Sequence, residues 1–176
     1  MNYATYGPYE IKEWTREGMT ELFSDVDEAN PGLSSAVGVY IVATKDKSGV
    51  LVPWYVGKTV NGFGKRFYQH LNGDRFRKLF SKNSSTVRVF LIPRVTSGAK
   101  FKKATKKLKE KGLRSTNLLE FALIGACLVK NNDLMNSKEV TLHKLFHVPG
   151  FWNSSPKNYD GAARQLARML GTKLGV

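Results

Sequence analysis

Two short runs constrain the fold most. Val37 to Thr44 reads VGVYIVAT and Val50 to Thr59 reads VLVPWYVGKT, and both are rich in β-branched and aromatic residues. Five turn-type residues, KDKSG, join them. Two such runs across so short a polar connection predict a β-hairpin. Pro53 marks the second strand as an edge or bulge, because proline cannot donate to a central ladder. A third run, TVRVFLIPRV from Thr86 to Val95, alternates and predicts another strand. Between them, after an NGFG loop, KRFYQHL from Lys65 to Leu71 predicts a short helix that ends near NGD.

The segment STNLLEFALIGACLVKNN, Ser115 to Asn132, predicts a buried helix. The order strand, strand, helix, strand, helix predicts an α/β (α+β) fold, a small, mostly antiparallel three-stranded sheet flanked by helices. Three regions follow: an acidic helical extension over 1–33, a core over 34–136 with a basic insertion at 97–114, and a C-terminal extension over 137–176. The first is expected to be helical over residues 8–29, with Pro8 in the first turn and NPG at Asn30 to Gly32 as the break. The last is expected to end in a helix capped by Asp160, with Arg164 and Arg168 on one face.

Charge is the strongest bulk signal. The 176-residue chain carries a net charge of +14, with seven acids and two bases among residues 1–33. The remainder is therefore strongly basic, and a body so basic points to a polyanion, most simply nucleic acid. Lys100, Lys102, Lys103, Lys106, Lys107, Lys109 and Arg114 cluster ahead of the apolar helix, and phosphate contacts are expected of them. The single cysteine, Cys127, excludes an internal disulfide framework and any all-cysteine zinc site. A buried, reduced thiol in a cytoplasmic protein is expected. Met1 to Glu10 does not read as a secretory signal, and the longest apolar run is too short to cross a membrane. His143 and His147 have a zinc-like spacing, but no third ligand lies near them in the sequence.

Glu120 is the only acid between Ser115 and Asn132, set among Leu118, Leu119, Phe121, Leu123 and Ile124. A carboxylate in such a setting needs a partner. The partner is either a hard divalent cation, Mg²⁺ first and Mn²⁺ second, or a salt bridge from Arg66 or Lys58. Arg66 and His70 stand four residues apart on one helical face. A guanidinium suits a phosphate, and an imidazole can move a proton near neutral pH.

Taken together, GVY at Gly38 to Tyr40, YVG at Tyr55 to Gly57, then Arg66, Glu120 and Asn136, in this order, resemble the GIY-YIG nuclease family. Val39 and Val56 stand where the family name has isoleucine. The resemblance covers residues 36–136. It implies a metal-dependent DNA endonuclease that hydrolyses phosphodiester bonds. In that reading Glu120 holds one metal ion and Arg66 grips the phosphate. Tyr55 activates water with Tyr40 in support, and Lys58 lowers the pKa of Tyr55. His70 relays a proton, and Asn136 orients backbone or phosphate. A small restriction-type enzyme is expected, with a homing- or repair-type nicking nuclease, or a binding module that has lost cleavage, as alternatives. Cutting both strands calls for two sites, most economically in a symmetric homodimer.

Overall fold

The computed structural model describes residues 1–83, 87–136, 140–141 and 160–169, and of these the side chains of residues 75, 82, 83, 106–113 and 167 lie outside the description. The chain divides into two compact units, Met1–Asn136 and Ser137–Val176. The first is α+β. Its elements are β1 (Asn2–Tyr3), β2 (Tyr6–Glu10), α1 (Arg16–Ala29), β3 (Gly38–Lys45), β4 (Leu51–Thr59), α2 (Phe63–His70), α3 (Asp74–Asn83), β5 (Val87–Val95) and α4 (Lys106–Leu128). The second unit contains α5 (Gly161–Met169). Asp160 caps α5 by accepting the Ala163 N–H at 2.7 Å.

The hairpin forms where the sequence places it. β3 and β4 pair antiparallel from Gly38↔Thr59 to Lys45↔Leu51, with a bulge between Val42 and Ala43. The register slips opposite the segment that contains Pro53, as a residue lacking an N–H requires. β5 lies on the other side of β3, so β3 is central and β4 is an edge.

The sheet has five strands, not the expected three. Both extra strands come from the N-terminal region that reads as a helical extension. β1 pairs with Val95 and Arg94, and β2 pairs with Leu91, Val89 and Arg88, all on β5. The helix expected from residue 8 starts only at Arg16. Tyr6 packs edge-on to Phe101 at 5.5 Å between centroids, and Ile11 is fully buried with its N–H on Val87 O at 3.1 Å. Main-chain pairing to β5 and burial of Ile11 outweigh a local helical reading here. Thr15 is the true N-cap, accepting the Gly18 N–H at 3.0 Å. From there Met19, Leu22, Phe23 and Val26 form one buried stripe at helical spacing.

The sheet has two distinct faces. One carries Tyr40, Val42, Tyr55, Val87, Val89 and Leu91 and forms a single core with α1, α2 and α3. On the other face α4 packs against β3 and β4, and Ile124 and Cys127 are buried there. Burial pushes the Cys127 thiol up to about 11, so it is an inert packing group at neutral pH. Among the described residues no helix is long and apolar enough to cross a membrane. The basic segment is not one insertion. Residues 97–105 are a loop whose Lys102 bonds through its backbone to Arg94 O and Val37 N, and α4 is already under way at Lys106.

Candidate active site at the edge strand

Tyr40 and Tyr55 arrive from β3 and β4 on the same face, with ring centroids 6.1 Å apart. Helix α2 brings His70 to both, at 6.1 Å from Tyr40 and 5.9 Å from Tyr55. The Tyr40 hydroxyl and His70 Nε2 lie 2.6 Å apart, a short hydrogen bond across two elements. The phenol donates to Nε2 or accepts from it, according to which imidazole nitrogen carries the proton. Gly57 makes this meeting possible. A Cβ there would overlap the Tyr40 ring and hydroxyl and come within 2.7 Å of Tyr55 Cε1.

Burial raises the Tyr40 pKa well above the ordinary phenol value, and the neighbouring Tyr55 adds to the rise. The Arg66 guanidinium close by opposes it only in part. Tyr40 is therefore a neutral phenol at any physiological pH. It has no exposed surface, whereas Tyr55 keeps 7%. Of the two, Tyr55 keeps the greater exposure, although both lie in the core.

Arg66 stands one turn before His70 on α2, as the four-residue spacing predicts. Its Nη1 donates to Gln69 at 3.3 Å, and its Nε is buried with no hydrogen-bond partner among the described residues. A buried donor without an acceptor is costly and clusters at functional sites.

A third helix, absent from the sequence reading, supports this cluster. Phe76 of α3 touches His70 at 4.8 Å, Tyr55 at 5.0 Å and Trp14 at 4.9 Å between ring centroids. Its signal was present, since Phe76, Leu79 and Phe80 repeat at i, i+3 and i+4 behind an acidic first turn.

Glu120 and Lys58 lie elsewhere. Lys58 Nζ and Glu120 Oε2 form an ion pair at 2.5 Å, with 34% and 12% of the two side chains exposed. Successive strand residues point to opposite faces. Gly57 faces Tyr40, so Lys58 faces α4. This is the salt-bridge partner that the sequence leaves open for Glu120, and it puts Lys58 across the strand from Tyr55 instead of beside it. The odd offset of three between Tyr55 and Lys58 already contained that answer.

Asn136 binds neither cluster. Its Oδ1 accepts the Val56 N–H at 2.9 Å and its Nδ2 donates to Val56 O at 2.6 Å. Met135 N–H donates to Trp54 O at 2.8 Å, and Asn131 Nδ2 donates to Pro53 O at 2.7 Å. The segment after α4 thus hems the outer edge of β4 from Pro53 to Val56. Asn136 orients backbone, as one of its two expected roles had it, and fixes the strand segment between Tyr55 and Lys58.

Of the basic residues, Lys100, Lys103 and Arg114 are exposed and Lys102 is half-buried. Lys106, Lys107 and Lys109 lie in the first turn and a half of α4, and their side chains fall outside the described residues. At 1.5 Å per residue they stand roughly 15–20 Å along the helix from Glu120. They are not beside it, as their place in the sequence suggests. His143 and His147 lie outside the described residues. Among the described residues no three His, Cys, Asp or Glu side chains gather into a metal cluster. No family model, curated protein or solved structure matches the chain.

Proposed function

We propose that the chain is a metal-dependent DNA endonuclease of the GIY-YIG type, acting at the margin of β4. One observation carries this reading. Tyr40, Tyr55, Arg66 and His70, marked out in the sequence on three separate elements, meet around Gly57, with the Tyr40 hydroxyl 2.6 Å from His70 Nε2. Because β4 is an edge strand, only its own thickness separates this cluster from the Lys58–Glu120 pair. In this reading the scissile phosphodiester lies beyond the Asn136 hem, at the end of β4 where Lys58 keeps solvent contact.

The residues present suit a single hard cation. Mg²⁺ keeps most of its waters and takes one or two carboxylates plus phosphate oxygens, so one partly exposed carboxylate suffices. Glu120 is that carboxylate, and it already balances one positive charge. Bound there, the cation supplies charge stabilisation at the phosphate and the leaving oxygen. Arg66 offers a guanidinium to the phosphate as negative charge develops on it. Tyr55, the phenol with exposed surface, orients the attacking water. His70, in ring contact with both phenols, takes up the proton that the water loses. Tyr40 fixes the His70 ring.

The basic loop and the first turn of α4 suit phosphates that flank the scissile one. A helix start disfavours lysine, because its free N–H groups are already positive. Lys106 and Lys107 with no acid in that turn are unfavourable in isolation and favourable against a polyanion. Such contacts give affinity without reading sequence, so binding should weaken steeply with salt. A compact core with modest basic additions fits a restriction-type enzyme that cuts both strands as a symmetric homodimer.

The test is incubation of the purified protein with plasmid and Mg²⁺, with and without chelator. Nicking or linearisation that chelator stops, and that Glu120→Ala removes while DNA binding persists, is the expected result. A second reading, a non-cleaving nucleic-acid-binding module, draws on the satisfied state of Glu120, whose pairing to Lys58 needs no metal. Tight, salt-sensitive binding without cleavage of varied DNA would establish that module instead. Sequencing product ends separates a restriction enzyme from a homing- or repair-type nicking enzyme.

A further inference from the structure

We infer that Lys58 is a built-in rival of the cation for Glu120, so that metal capture depends on a polyanion being present. The inference rests on the endonuclease reading above and adds a rule for how its site assembles. The Lys58 ammonium lies 2.5 Å from Glu120 Oε2, directly on the carboxylate that a divalent ion would need. Two cations cannot share that contact cheaply, since like charges at such a distance repel strongly in a half-buried site.

The geometry also says which partner moves. Glu120 is 12% exposed and sits within α4, which packs on the sheet. Lys58 is 34% exposed, at the end of a flexible four-carbon stem on an edge strand. The backbone two residues earlier is pinned by Asn136, so the displacement is a side-chain swing and not a movement of the strand. A DNA phosphate gives the ammonium an alternative partner of the same sign as the carboxylate. Engaging it vacates the Lys58 contact on Glu120 Oε2. Duplex binding then strengthens metal binding and, by linkage, metal strengthens duplex binding by the same factor. The free protein holds a neutralised, unreactive carboxylate, which restrains cleavage chemistry away from substrate.

The experiment measures Mn²⁺ binding to the full chain by counting free Mn²⁺ in electron paramagnetic resonance. It is done with and without a short phosphorothioate duplex that resists cleavage. Without duplex, Lys58→Gln is expected to bind Mn²⁺ about fivefold or more tightly than the natural chain, and Lys58→Arg is expected to stay as weak. Adding duplex is expected to raise affinity more in the natural chain than in Lys58→Gln. Mn²⁺ bound by Lys58→Gln but undetectably by the natural chain gives the same answer. Equal or weaker binding by Lys58→Gln without duplex, or an equal gain from duplex in both, overturns the inference. Glu120→Gln keeps the two ideas apart. If, with duplex present, it binds Mn²⁺ like the natural chain, the metal site itself is wrong. If it binds none while Lys58→Gln matches the natural chain, only the rivalry is wrong. Thermal unfolding followed by circular dichroism confirms that each variant is folded.

Discussion

The two faces of β4 carry opposite kinds of chemistry. One holds Tyr55 in a packed aromatic cluster with Tyr40, His70, Phe67 and Phe76. The other holds the Lys58–Glu120 ion pair, with Ile124 and Cys127 of the same helix buried nearby. On the first face position is set by shape, because rings in contact have few alternative arrangements. On the second it is set by charge, because an ammonium on a flexible stem can exchange one acceptor for another. In the proposed reading, a site that straddles β4 joins a rigid half, which would place water and proton acceptor, to an exchangeable half, which would take substrate and cation.

The sharpest way to break this contrast is to loosen the rigid half. Phe76→Ala removes the ring that touches His70, Tyr55 and Trp14 together. It should lower the free energy of urea unfolding by about 3–5 kcal/mol, the usual cost of deleting a buried phenylalanine. A loss under about 1 kcal/mol would mean that this face is not held by packing. Next comes Arg66→Ala. Plasmid cleavage should fall about 10²–10³-fold, as when one donor to developing charge is removed. Because Arg66 is only half-buried, the unfolding midpoint should move little. Cleavage within a few-fold of the natural chain would remove Arg66 from the site.

What was legible in the sequence follows the same divide between local and distant causes. The β3–β4 hairpin, β5 and α2 each rest on a short-range pattern and stand within a few residues of their expected places, whereas the Glu120 helix begins at Lys106, well before the expected Ser115. Strands β1 and β2 owe their existence to partners more than 75 residues away on β5. Tyr3, Tyr6 and Tyr9 hint at strand, but nothing near them specifies the pairing. Helix α3 was legible from Phe76, Leu79 and Phe80 and was passed over between two stronger signals. The site was legible as a set of residues, and its division between faces was available from parity. Tyr55 and Gly57 share a face, and Lys58 cannot join them. The Tyr40–His70 bond was not legible, since it depends on how α2 lies across β3.

The hem along β4 tests whether the two halves must be held in register. Asn136→Ala leaves the Val56 N–H and carbonyl without their side-chain partners in a buried position. The expected loss is about 1–3 kcal/mol in chemical unfolding, the cost of orphaned backbone groups. If the halves must be aligned, cleavage falls further than stability explains at temperatures where the variant is fully folded. A loss of stability with an unchanged rate per folded molecule would confine Asn136 to the scaffold.

The smallest expected effect is the most specific. Tyr40→Phe keeps the ring in its packed position and deletes only the hydroxyl that meets His70. Near neutral pH the cost should be about 0.5–1.5 kcal/mol, that of one hydrogen bond. The difference from the natural chain should then begin to depend on pH in alkali. Burial holds the Tyr40 pKa well above its ordinary value, so the folded phenol keeps its proton where the unfolded one loses it. Above about pH 10 the unfolded state binds fewer protons than the native state at this position, and stability falls as pH rises. Phenylalanine lacks that term. The gap between the two proteins should therefore be constant below about pH 9 and close as pH climbs past about 10. Parallel stability curves through that range would show that the Tyr40 hydroxyl ionises as freely in the folded protein as in the unfolded chain. The rigid half would then be open to solvent at its centre, and Tyr40 would compete with Tyr55 for the attacking water.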